Sequence, residues 1–302
     1  MRNKTGLNRT MRFESLEDRS MLSVSAFMSS NELLIIGTSA NESVQVYQHG
    51  TSWDVQGIGG TKVNNSTKAQ SFAGVDNITA ELGAGNDFLK VFNGTLLGSL
   101  QVGYAASDTG FKTTQVINLK LGLLSVVNES NGANSILVSN VQTTSFEGAS
   151  FELGNGNNVI VLTNLKVIGA DLELFAGSGN NVITATNIQT TSGNRDLIET
   201  GDGNDIISIS QFSATGDLDI SSGGGTDAVV LNRVNIGDNV LSVDVGSGNH
   251  DVLTIIDSTA KAADLSDSGG TNGFLTGVKN DFDEITIDPN FTHVSGIENT
   301  PC

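Results

Sequence analysis

The stretch "ETGDGNDIISIS", residues 199–210, decides the fold. It joins a glycine turn to two acids and an alternating apolar run. Glycine supplies the positive φ of a tight bend, and alternation with a period of two marks a strand with one face buried. Taken alone, the segment suits a metal-binding turn, a catalytic loop or one rung of a scaffold. Its recurrence separates these readings.

The pattern G-x-G-[N/T] appears at Gly83 to Asn86, Gly154 to Asn157, Gly177 to Asn180, Gly201 to Asn204, Gly223 to Thr226 and Gly246 to Asn249. From Gly156 onward the second glycines are separated by 23, 24, 22 and 23 residues, and Gly85 lies 71 residues before Gly156. That gap holds close to three periods, so two degraded copies are expected, one in "ESNGANSILVSN" at 129–140 and a fainter one near 105–118. Each period has the same grammar. A short strand such as "LELF" at 172 or "VDV" at 243 precedes the turn, and a longer one such as "NVIVL" at 158 or "DIISIS" at 205 follows it. An amide or acid then recurs as Asn93, Asn140, Asn164, Asn187, Gln211, Asn232 and Asp257.

Such a unit cannot bury its apolar face alone, so copies must stack. Parallel stacking in register lifts each copy roughly 4.8 Å above the last and turns Val, Ile and Leu into a shared interior. The sequence therefore predicts an all-β parallel β-helix (solenoid) of about eight coils, with the recurring amides as a buried Asn ladder. No segment sustains a helical or heptad pattern, and a propeller blade needs roughly 40 residues. Residues 1–30 are expected to be a leader, 31–70 a β-hairpin cap turning at His49-Gly50-Thr51, 71–261 the repeats, and 262–302 an irregular C-terminal cap.

Composition narrows the function classes. With 33 acids against 15 bases the net charge is −18, which repels nucleic acid and anionic lipid and favours cations as partners. No apolar run approaches the roughly 18 residues of a membrane span. The single cysteine, Cys302, excludes an intrachain disulfide. The acids concentrate between 196 and 257, where eleven acids face one base, Arg233.

The glycine turns "LGAGNDFLKV", "TGDGNDIISI" and "SGGGTDAVVL" resemble the RTX nonapeptide repeat, whose stacked turns bind calcium in bacterial exported proteins. The resemblance implies Ca²⁺ at Asp87, Asp205, Asp227 and, after a one-residue insertion, Asp251. RTX turns come every nine residues, whereas here one comes per period, and Asn158 and Asn181 stand where the acid belongs. Near the N-terminus, Phe13, Glu14, Leu16, Glu17, Arg19, Met21 and Leu22 resemble the LEPR-XLL motif of exported planctomycete repeat proteins. That likeness implies an extracellular or cell-surface location. The expected partner is a cell-surface polysaccharide or protein.

A second set of acids comes from the repeat itself. Glu81, Glu152, Glu173, Glu199, Asp219 and Asp244 each precede a turn between inward apolar neighbours, with Glu129 in the degraded copy. Alternation sends them to solvent, and stacking is expected to align them in one column where like charges repel unless Ca²⁺ bridges successive rungs. The bland counterpart is a solvated face.

An enzymatic alternative is a carbohydrate-active β-helix, a polysaccharide lyase or hydrolase, which needs tuned carboxylates beside aromatic platforms. Trp53, Tyr47 and Tyr104 lie outside the best repeats, and His49, His250 and His293 read as separate turn or cap residues. G-x-S-x-G, H-E-x-x-H and P-loop patterns are missing from the sequence. The expectation is a structural or adhesive solenoid without catalytic activity.

Overall fold

A computed structural model describes residues 23–104, 109–145, 148–191 and 193–297; the LEPR-XLL-like segment lies outside the described residues. Among these every regular element is a β-strand, and the strands wind into a parallel solenoid of about nine turns with a period of about 23 residues.

One coil shows why the sequence folds this way. Val159–Val167 runs along the first side with Ile160 and Leu162 inward, then bends at Asn164, whose φ is 53°. The bend shifts the alternation by one residue, so Leu165 and Val167 face inward on the second side. After a short turn, Leu172–Ala176 forms the third side with Leu174 inward, and the glycine turn leads back to the first.

Stacking is residue on equivalent residue. Ile160 pairs with Ile183, then Ile207, Val229, Leu253 and Leu275 in parallel register. Leu174 pairs with Ile198, then Ile220, Val243 and Leu265. All are at most 2% exposed, and each fully buried aliphatic contributes roughly 1.5–3 kcal/mol.

The second glycine of each turn is required by close approach. A Cβ on Gly248 would lie 1.5 Å from the carbonyl oxygen of Gly225, one on Gly225 1.7 Å from that of Gly203, and one on Gly203 2.2 Å from that of Gly179. The turns thus nest glycine on carbonyl at a spacing that side chains forbid.

The corner amides depart from expectation in two ways. Asn118 Nδ2 donates to Asn93 Oδ1 at 2.9 Å, Asn140 to Asn118 at 3.0 Å, Asn164 to Asn140 at 2.7 Å and Asn187 to Asn164 at 2.7 Å, so the ladder forms, but on the exposed edge. Each of these residues has φ between 53° and 56°, a left-handed bend that Asn tolerates and that turns its side chain outward. Further up, the corner residue is Arg233 (φ 57°) rather than the expected Asn232, and its Nε meets Asp257 Oδ2 at 3.4 Å.

At the N-terminal end, Ser23–Ser29 pairs antiparallel with Glu32–Thr38, and Ser43–His49 with Ser52–Gly57 around Gly50. Ser52–Gly57 also pairs antiparallel with Gln70–Ala73, and Trp53, buried there, covers Gly94. Glu32–Thr38 and Ser43–His49 are themselves the layer on which Asn77–Gly83 and Asp87–Thr95 stack in parallel. Residues 262–302 do not form an irregular cap where they are described. Thr259–Ser266, Gly273–Val278, Asp281–Ile287 and Phe291–Ser295 continue the parallel stack, because alternation persists after the turn signature has changed.

Candidate functional site

The pattern G-x-G-N-D places two polar residues side by side, and the coil sends them in opposite directions. The first makes an outer ladder: Asn157 Oδ1 accepts the N–H of Asn180 at 2.9 Å, Asn180 that of Asn204 at 2.8 Å, and Asn204 that of Thr226 at 2.9 Å. The second points into the solenoid.

That inner column runs Glu42, Asp87, Lys112, Asn134, Asn158, Asn181, Asp205, Asp227 and Asp251, each at most 2% exposed. Its chemistry changes along the stack. In the lower part, Lys112 Nζ lies 2.6 Å from Asp87 Oδ2 and donates to the carbonyls of Gly83 and Gly85 at 2.9 and 2.6 Å. In the middle, amides replace the ammonium: Asn158 Nδ2 donates to Asn181 Oδ1 at 2.8 Å, and Asn181 Nδ2 donates to the turn carbonyls of Gly177 and Gly179, both at 2.8 Å.

Above them come carboxylates alone. The N–H of Asn181 donates to Asp205 Oδ1 at 2.6 Å, that of Asp205 to Asp227 Oδ1 at 2.8 Å and that of Asp227 to Asp251 Oδ1 at 2.8 Å. The second oxygen of each, Asp205 Oδ2, Asp227 Oδ2 and Asp251 Oδ2, is buried without a hydrogen-bond partner. Burial is the main cause that raises all three carboxyls above their ordinary range, with the backbone N–H bonds, the Thr200 hydroxyl beside Asp205 and the Ser222 hydroxyl beside Asp227 acting against it. Asp227, flanked by Asp205 and Asp251, is pushed up to about 7. At the lower end burial likewise raises Asp87, against the pull of Lys112, and lifts Glu42 to about 7 against its hydrogen bonds to Thr38.

The RTX-like aspartates therefore share one column, and a cation fits its upper part on chemical grounds. The orphaned oxygens are hard donors, and in the same column the Lys112 ammonium already occupies a cage of one carboxylate and two turn carbonyls. Among the described residues no three acidic, His or Cys side chains converge on one point, so such a site would rest on a carboxylate and main-chain oxygens in each coil.

The outer acids do not form the expected single column. In register, Glu81 stacks on Gly103, that on Val127, then Glu152, Phe175, Glu199, Ser221 and Asp244. Glu173 and Asp219 belong to a neighbouring row two residues earlier, separated by Leu197. The acids shift between these rows because the segments preceding the turn place them at different steps from it. No two of the six are direct vertical neighbours, which removes both the repulsion and the reason for a bridging cation there. Asp219 Oδ2 accepts from Arg195 Nη1 at 2.9 Å. Asp244 is buried enough to resist ionisation, but the N–H groups of Gly246 and Ser268 on its Oδ1, at 2.9 and 3.1 Å, hold its carboxyl below the ordinary range.

Sequence reasoning missed Glu42, Lys112, Asn134 and Asp267 as members or neighbours of the inner column. Glu42 sits 45 residues before Asp87 and Lys112 25 after it, so the period was available as a signal for both. Two histidines read as separate also come together: Phe274 stacks on His293 and His250, with ring centroids 4.6 and 6.3 Å apart, on the outside of the last coils.

No protein-family model matches the chain, and no match is found among curated proteins or solved structures. No helix among the described residues is long and apolar enough to cross a membrane.

Proposed function

We propose that the chain is a structural or adhesive β-solenoid, extracellular or on the cell surface and without catalytic activity, whose inner carboxylate column takes up Ca²⁺. The observation that carries the cation reading is the trio of buried, unpartnered oxygens on Asp205, Asp227 and Asp251, in the column where Lys112 supplies a cation of its own. A cation bound by the folded state alone stabilises it by mass action. The melting temperature of the metal-stripped chain is expected to rise in millimolar Ca²⁺ at pH 8, and Glu199→Gln with Asp219→Asn, both on the outer face, should leave the rise intact. A melting curve identical in Ca²⁺ and in chelator rejects the cation reading. The surface location has its own test, biotinylation of intact source cells with a membrane-impermeant reagent, and protection from it counts against that part.

The lateral face gives a carbohydrate-active enzyme one point in its favour, since Phe175 lies between Glu152 and Glu199 in the outer row. Turnover of acidic polysaccharides that is lost in Glu152→Gln and Glu199→Gln would replace the structural reading with that one.

A further inference from the structure

The last glycine turn departs from those below it. It runs Asp267-Ser268-Gly269-Gly270-Thr271-Asn272-Gly273. The inward position after the turn, held by an acid in the three preceding coils, is here Gly273. The inward position before the turn follows the row Ala176, Thr200, Ser222 and Val245, and here it is Asp267, one residue past the Asp244–Ser266 pair.

The carboxylate of Asp267 fills the space that a side chain at 273 would take. A Cβ on Gly273 would lie 2.4 Å from Asp267 Oδ2, and one on Gly270 1.8 Å from Oδ1. Two glycines therefore shape a cradle around this carboxylate. Asp267 is fully buried, and neither of its oxygens has a hydrogen-bond partner. Below it, Asp251 stands in register with Gly273, whose side-chain space Asp267 fills, and the Oδ2 of Asp251 is also unpartnered.

Four nearby donors are committed elsewhere. The N–H groups of Gly246 and Ser268 go to Asp244, that of Asn290 goes to Asp288 Oδ1 at 2.8 Å, and Asn290 Nδ2 goes to the main-chain oxygen of Asp267 at 2.9 Å. Two buried carboxylates thus face each other, with Asp244 and Asp288 adding negative charge around them. An opposite charge between them resolves that arrangement.

We propose that Asp251 and Asp267 form a clamp for one divalent cation of the Ca²⁺ class at the last turn, and that this site fills before the others in the column. The proposal rests on the cation reading above and extends it to a residue outside the repeat pattern. Affinity of oxygen sites rises with the number of charged ligands, and here two carboxylates converge where each lower coil offers one.

The test is calorimetric titration of Ca²⁺ into the metal-stripped full chain at pH 8, comparing wild type with Asp267→Asn, Gly270→Ala and Asp205→Asn. Asp267→Asn is isosteric and relieves repulsion, so in chelator it should melt no lower than wild type. The tightest binding step should weaken about tenfold or more in Asp267→Asn and in Gly270→Ala, given that even outer-shell partners are worth about 10–100-fold. Asp205→Asn should keep that step. An unchanged tight step in Asp267→Asn, alongside a wild type that binds Ca²⁺, overturns the clamp and leaves the column reading standing. A wild type that neither binds Ca²⁺ nor gains thermal stability from it overturns both.

Discussion

Lys112 Nζ lies 2.6 Å from Asp87 Oδ2, with both groups at most 2% exposed. Breaking a buried pair by removing one partner leaves an uncompensated charge and costs about 3–5 kcal/mol. Lys112→Met should therefore destabilise the chain by that amount in urea unfolding, and Asp87→Asn added to it should recover a large part. Equal stability of the single and double variants would show that the ion pair is not what holds this coil.

The inner acids invert the usual acid sensitivity of a protein. Asp227 titrates at about 7 and Asp267 at about 6, both raised by burial first and by facing carboxylates next, and Asp205 and Asp251 are raised as well. A carboxyl whose folded pKa exceeds its unfolded value of about 4 binds its proton more tightly in the folded chain. Its stabilising contribution is complete below about pH 4 and is lost as pH rises through the folded value. In chelator, the urea midpoint should accordingly rise as pH falls from 8 to about 5. A midpoint that falls over that interval contradicts the burial of these groups.

Glycine requirements differ from turn to turn. Gly225→Ala drives a methyl to within 1.7 Å of the Gly203 oxygen at a φ of 146°, whereas a Cβ on Gly237 (φ 59°) meets nothing within 4 Å. The second substitution should cost only the left-handed penalty, roughly 1–2 kcal/mol. The first must push coils apart and should exceed about 4 kcal/mol, the range reserved for severe core defects. Chemical denaturation of both variants separates steric nesting from backbone preference.

Corner amides and interior aliphatics should rank differently. Asn164→Ala removes side-chain bonds to Asn140 and Asn187 and puts alanine at φ 53°, for a cost of about 1–3 kcal/mol; Asn164→Gly keeps the bend and should cost less. Leu174→Ala opens the interior and should cost about 2–5 kcal/mol. Thermal melts that reverse this order would place the main stabilisation in the ladder instead of the core.

The architecture was legible because it is written in two periods at once: strand alternation gave the sides, and the spacing of Gly156, Gly179, Gly203, Gly225 and Gly248 gave the stack. The recurrence of the aspartates after the turn was legible for the same reason, but their inward direction was not. What failed was register before the turn. Glu152 and Glu173 look equivalent between apolar neighbours, yet they stand two residues apart in register, a whole step of the alternation, and so fall in different rows on the same face. The recurring amides mark the Asn ladder but not its side, because a recurring amide carries no sign of whether its corner is left-handed. Asp267 was invisible because it precedes its turn, whereas for Lys112 the period marks the position and only the ammonium, in a row of acids and amides, breaks the pattern.

The most direct measurement replaces Asp205, Asp227 and Asp251 together by Asn, giving the upper coils the chemistry of Asn158 and Asn181, and follows thermal unfolding at pH 8 in chelator and in millimolar Ca²⁺. The triple variant should melt above wild type in chelator, and its gain from Ca²⁺ should shrink once the upper part of the inner column carries no carboxylate. A variant that melts below wild type in chelator while gaining as much from Ca²⁺ would contradict the column reading.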